Sequence, residues 1–140
     1  VRAAAALAEQ AGPVSQTEGN EVNREEKCWG SVIHVFASER AATSCLWVKA
    51  GFQCSRHYHE DRANQFTVMS GRIKVEEWPR EGGVTTTMLS EGETHTVPSG
   101  RVHRFRVLES GQVVEVYYPD NGGTVRLDDI VRLDEGGPWK

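Results

Sequence analysis

The segment GFQCSRHYHEDRANQFTVMSG, running from Gly51 to Gly71, carries His57 and His59 two residues apart, then Asn64, with a glycine at each end. Alternate side chains of a strand point to the same side of a sheet, so this spacing sets both imidazoles on one face. Tyr58, between them, faces away and is assigned to packing. If the shared face lines a barrel interior, the two rings converge. A second segment, GETHTVPSGRVH from Gly92 to His103, ends on a third histidine. Strands folding back on themselves would bring His103 beside the first two. Three neutral imidazoles suit Zn, Fe, Ni, Cu or Mn, with water or substrate filling the open positions.

Around these segments the chain reads as short strands divided by turn residues. Runs at Val32–Ala37, Thr43–Ala50, Phe66–Ser70, Arg72–Trp78, Val84–Leu89, His95–Val97, Arg101–Leu108 and Gln112–Tyr118 have strand length and β-branched or apolar content. In Arg72–Trp78, Ile73 and Val75 alternate with charged residues, as in a half-buried strand. No helical period lies between the runs, and the unit is not repeated. The fold class is therefore all-β, a single antiparallel β-barrel or jelly roll. Phe66, Trp47 and Trp78 are expected in its core, and so is Cys45, which alternates with Trp47.

The chain has 140 residues, 38% hydrophobic and 26% charged, which is enough apolar material for one core. The mean hydropathy is -0.51, and no apolar run approaches the roughly 20 residues that cross a bilayer. With 16 basic against 20 acidic residues and a net charge of -4, there is no basic stripe for nucleic acid. The domain reading is an arm or linker over 1–26 and the barrel over 27–140. Within that flexible N-terminal arm, Val1–Ala11 is Ala-rich and suits a short helix, whereas Gly12–Glu26 is polar and aperiodic. No apolar stretch flanked by basic residues marks a signal peptide. Cys28, Cys45 and Cys54 form no close pairing pattern, which argues for a reducing, cytoplasmic setting. Cys54 stands three residues before His57, close to the expected site.

The two histidine segments, in order and with Gly71 and Gly92 bounding the stretch between them, resemble the paired motifs of the cupin superfamily. A closer likeness covers much of Lys27–Gly137. Lys27–Ser31 resembles the RPWGS-type opening of the C-terminal cupin domain of type II mannose-6-phosphate isomerases. Ser55–Phe66 is similar to that family's metal segment and shares Tyr58, His59, Arg62 and Ala63. Val68–Gly71 resembles its VxSG turn, and Val97–Arg104 its IPxGxxHR segment. Glu115-Val116 and Asp128–Arg132 resemble its IEV and DDIVR blocks. The resemblance implies a cupin domain and one divalent transition metal (Zn, Mn, Fe or Ni) on His57, His59, His103 and Asn64. It also implies a small-molecule ligand and a homodimer. In that family Gln generally stands at the position of His57, an acidic ligand at that of Asn64, and commonly His at that of Gln65. A neutral amide in place of a carboxylate removes a negative charge from the metal's ligands and a possible proton-transfer group.

Asn64 is either a fourth ligand or a hydrogen-bonding neighbour of the ligands. Gln65 points the opposite way in a regular strand, although a bulge would exchange the two. Arg62 and Arg104 are candidates to bind an anionic substrate group, against the alternative of ion-paired surface arginines. His34 and His95 fall outside the ligand positions and suit the surface or the barrel rim. Asp128–Arg132 is read as a strand or tail that closes the barrel. Three functions stay open. The first is a metal-dependent sugar-phosphate isomerase, with Glu60, Asp61 or His95 as candidate base. The second is a three-His Fe(II) dioxygenase, and the third a non-enzymatic module that binds a sugar or other small ligand.

Overall fold

The computed structural model describes residues 23–139 together with Ser15, Thr17 and Gly19. The helix expected over 1–11 lies outside the described residues. Thirteen strands follow: β1 (Arg24–Lys27), β2 (Gly30–Ala37), β3 (Ala42–Val48), β4 (Phe52–Gln53), β5 (His57–Tyr58), β6 (Ala63–Val68), β7 (Arg72–Trp78), β8 (Thr85–Leu89), β9 (Thr94–Val97), β10 (Val102–Glu109), β11 (Gly111–Tyr118), β12 (Val131–Arg132) and β13 (Gly137–Pro138). Arg24–Glu26, part of the stretch read as an arm, instead pairs with β2 as strand β1.

One sheet has the order β1-β2-β3-β11-β6-β9. In the other, β10 is central. β7 runs along one side of it and carries β8, and the short strands β5 and β4 share its other side. β12 and β13 then cover β5 and β4 at the edge. All these pairings are antiparallel, and the two sheets stack face to face as a jelly roll. Leu46, Phe66 and Val113 from the first sheet pack with Ile73, Phe105 and Val107 from the second in one buried cluster. Each such side chain taken out of water stabilises by about 1.5–3 kcal/mol.

The alternation read from sequence sets most inward faces. Val113, Glu115 and Tyr117 of β11 point in, as do His103, Phe105 and Val107 of β10. At β3 it misleads. Ser44, Leu46 and Val48 are buried, while Trp47 is 37% exposed and Cys45 shares its outward face. Both parities of that strand are apolar, so composition alone does not choose between them. Outside, the Trp47 ring takes the Arg24 guanidinium at 4.5 Å from its centroid. Trp78 is likewise on an outer face, half-buried beside Arg56 and Arg104. Gly71 forms the turn from β6 to β7 at φ 82°. A side chain there would also come within 2.6 Å of the Glu109 carbonyl, so only glycine fits.

Candidate metal centre

Four elements carry the candidate residues. β5 holds His57, the turn after it holds His59, β10 holds His103 directly opposite His57, and β6 holds Asn64. The His57 and His103 rings lie 4.5 Å apart between centroids. His59 lies 5.0 Å from the first and 5.3 Å from the second. One ligand atom from each falls within 4.8 Å of the others. One ion at about 2.1 Å from each nitrogen holds them about 3.0–3.4 Å apart, so a small inward shift of the rings brings them onto a common ion.

The outer nitrogens fix which inner atoms are free. Nδ1 of His57 donates to the Ser55 carbonyl at 2.8 Å, that of His59 to the Asp129 carbonyl at 2.7 Å, and that of His103 to the Arg101 carbonyl at 2.8 Å. A carbonyl only accepts, so each Nδ1 carries the hydrogen and each Nε2 keeps its lone pair. Burial holds all three rings neutral, with pKa values lowered to about 3. After burial, the largest cause is neighbouring His59 for His57, Arg62 for His59 and His57 for His103.

Asn64 is 1% exposed. Its Nδ2 donates to Glu115 Oε2 at 3.0 Å, which directs the amide oxygen elsewhere. Gln65 faces outward and donates to Thr94 Oγ1. Among the described residues, the buried side-chain polar atoms without a partner are His59 Nε2, His103 Nε2, Asn64 Oδ1 and Arg62 Nε. Each such atom left unsatisfied costs about 1–3 kcal/mol. Scattered, they would be defects. Two of them, His59 Nε2 and His103 Nε2, are lone-pair donors of the three-His cluster, and that cluster fits a divalent transition metal.

A cavity of about 550 Å³ opens onto His57 and His59, with Arg62, Phe66, Glu115 and Tyr117 among its deeper walls. Lys27, His34 and Arg132 are also on its wall.

The family described as "Mannose-6-phosphate isomerase C-terminal" matches residues 15–135 of the chain. The chain belongs to this family. The mannose-1-phosphate guanylyltransferase RfbM of Salmonella typhimurium is 26% identical over 109 residues, covering 76% of this chain and 21% of the relative. The alginate biosynthesis protein AlgA of Pseudomonas aeruginosa is 29% identical over 108 residues, with 76% and 21% covered. The chain thus spans about a fifth of the length of these curated relatives. Oxalate decarboxylase from Bacillus subtilis superposes with a TM-score of 0.70 at 19% identity, over 85% of this chain and 33% of that one. The Lactobacillus farciminis oxalate decarboxylase formate complex gives 0.69 at 17% identity, over 85% and 38%. At such identities the likeness shows the fold, a cupin jelly roll.

Within this mannose-6-phosphate isomerase C-terminal domain, the other sequence candidates separate. Arg62 is buried in the cavity wall. Arg104 is not in that wall; it lies on the outer side of β10, ion-paired with Glu76 at 2.9 Å. Neighbours on a strand face opposite ways, so an inward His103 sends Arg104 outward. Glu60 is exposed, and Asp61 pairs with Arg126 at 3.6 Å. His95 bridges to Glu77 at 2.7 Å. None of these three lines the cavity. His34 lines it and bonds Ser44 Oγ at 2.8 Å.

Two contributors escaped the sequence reading. Glu115 is a buried carboxylate of the cavity wall, and its signal is an acid in the inward register between Val113 and Tyr117. Asp129 accepts the backbone N–H groups of Glu60 and Asp61, each at 2.9 Å, while its carbonyl holds His59. Its signal is the DDIVR block, whose tail-closing role is also seen as β12 pairs with β5.

Proposed function

We propose that this domain holds one divalent transition ion on His57, His59, His103 and Asn64 and acts on a small hydroxylated molecule of the sugar or sugar-phosphate class. The observation that carries this reading is the convergence of His57, His59 and His103 on one another, with Nε2 of His59 and of His103 buried and partnerless. The family's description supports the substrate class. An ion bound there would supply Lewis-acid polarisation of a carbonyl or hydroxyl oxygen. The remaining work falls to the chain's own side chains. Glu115, the buried carboxylate of the cavity wall, would be the group to carry a proton between adjacent carbons. Burial raises its pKa, whereas hydrogen bonds from Asn64 and Tyr117 and the charge of Arg62 draw it back toward the ionised form. A homodimer and a cytoplasmic setting belong to the same reading. The three free cysteines support the latter, and no helix of the described residues is long and apolar enough to cross a membrane.

Elemental analysis of the purified protein tests the metal, with about one ion per chain expected. Failure to take up Zn, Mn, Fe or Ni on reconstitution sinks the reading. Deuterium wash-in at C2 of a hexose 6-phosphate, followed by NMR in D2O, tests the chemistry. A second reading, a ligand-binding module without turnover, is favoured by the neutral Asn64 where the family generally has an acid. Tight sugar binding with no wash-in selects it. Oxygen consumption by the Fe(II)-loaded protein would select a dioxygenase instead.

A further inference from the structure

Arg62 is 3% exposed, and no carboxylate of the described residues pairs with it directly, although Glu115 and Asp129 feel its charge at longer range. The guanidinium lies over the Tyr117 ring, 4.0 Å from the centroid, and the His59 ring packs at 6.0 Å from the same centroid. Nη1 donates to the Arg126 carbonyl. Nε has no partner, and no ion pair among the described residues includes Arg62. An arginine cannot shed its proton. A buried cation without a direct partner therefore carries a substantial desolvation cost. The three histidines beside it are neutral, and the two buried carboxylates that feel its charge are engaged elsewhere, Glu115 by Asn64 and Asp129 by the Glu60 and Asp61 amides. An ion on the histidines would raise the positive charge of the compartment further. A clamp on the Arg126 carbonyl needs one donor and no charge, so the buried charge calls for an anion.

We propose that Arg62 forms an oxyanion subsite inside the barrel, beside the metal ligands. It takes the carboxylate or phosphate of a substrate whose hydroxyl or carbonyl oxygen reaches the metal. The edge of the guanidinium that carries Nε is the free one, and a planar fork of N–H groups matches two oxygens of one oxyanion. Stacking on Tyr117 holds that fork in place before the ligand arrives. The subsite rests on the small-molecule reading of the cavity and narrows it to acidic ligands.

The test is calorimetric titration of the metal-loaded protein with inorganic phosphate, with glycolate and, as a neutral control, with mannose. The proteins compared are the wild type, Arg62→Met and Arg62→Lys. At least one oxyanion is expected to bind the wild type. Arg62→Met should weaken it by about tenfold or more, with metal content and mannose affinity unchanged. Arg62→Lys keeps the charge but loses the fork, and should fall between. Should Arg62→Met fail to fold, Arg62→Lys alone still reads the geometry. A preference for phosphate or for glycolate identifies the source of the oxyanion. Equal affinity in the variants, or no binding of either oxyanion to the wild type, overturns the subsite. If the chain takes no metal, the metal reading fails separately, and the same titrations on the metal-free protein still decide the role of Arg62.

Discussion

His57 and His59 were legible because an i, i+2 spacing sets two side chains on one side of an extended chain, and His103 because it ends the second histidine segment. Replacing any of them with alanine should weaken metal binding by more than about 100-fold while circular dichroism still reports an intact fold. On the proposed four-ligand reading, Asn64→Asp adds a negative ligand but sets two buried carboxylates against each other across the present Asn64–Glu115 bond. The metal-bound form of that variant should therefore tighten by about tenfold in chelator competition, whereas its metal-free form should melt lower. Cys54 does lie beside the site, in the cavity wall with His57. It is buried, accepts the Phe105 N–H on its sulfur at 3.2 Å, and burial pushes its thiol well above the ordinary range. Its closeness to His57 thus confers no reactivity. Alkylation followed by mass spectrometry should label the exposed Cys28 in the native protein and Cys54 only on unfolding.

At the level of elements, strand positions were mostly legible because turn residues and period-two patterns agree. Faces were legible only where one parity is clearly apolar. β7 meets that condition with Ile73 and Val75, whereas β3 does not, and there pairing with β2 and β11 decides. The same parity rule, applied to β10 and β11, would have moved Arg104 outward and flagged Glu115. The DDIVR block marked Asp129, but its role was not readable, because its partners in the turn at Glu60–Asp61 are some 68 positions away in sequence. Asp129→Ala removes the acceptor for two backbone N–H groups. It should cost about 1–3 kcal/mol of stability and weaken metal binding by about 10–100-fold. Faster hydrogen exchange at the Glu60 and Asp61 amides would locate the damage.

Over the whole molecule, the buried imidazoles tie folding to pH. Unfolded histidines take up protons below about 6.5, while the folded three stay neutral down to about 3. The unfolded state binds more protons throughout that window, so the metal-free protein should lose stability as the pH falls through it. Denaturant melts between pH 7 and pH 4 measure this loss. Metal affinity of the folded protein should behave differently. Its ligands are already deprotonated, so competition titrations should find little change between pH 7 and pH 5.

The edge formed by β12 and β13 has a consequence for the traffic of the ion. β12 pairs with the very strand that carries His57, and Asp129 just before it anchors His59 through its carbonyl. Edge segments of a sheet open before its centre. Lifting this one would unlatch one ligand as it exposed another. Escape of the metal should then be timed by fraying of the C-terminal stretch: at high chelator concentration the stripping rate should reach a plateau, and loosening the Arg56–Asp134 tie with Asp134→Ala should raise that plateau.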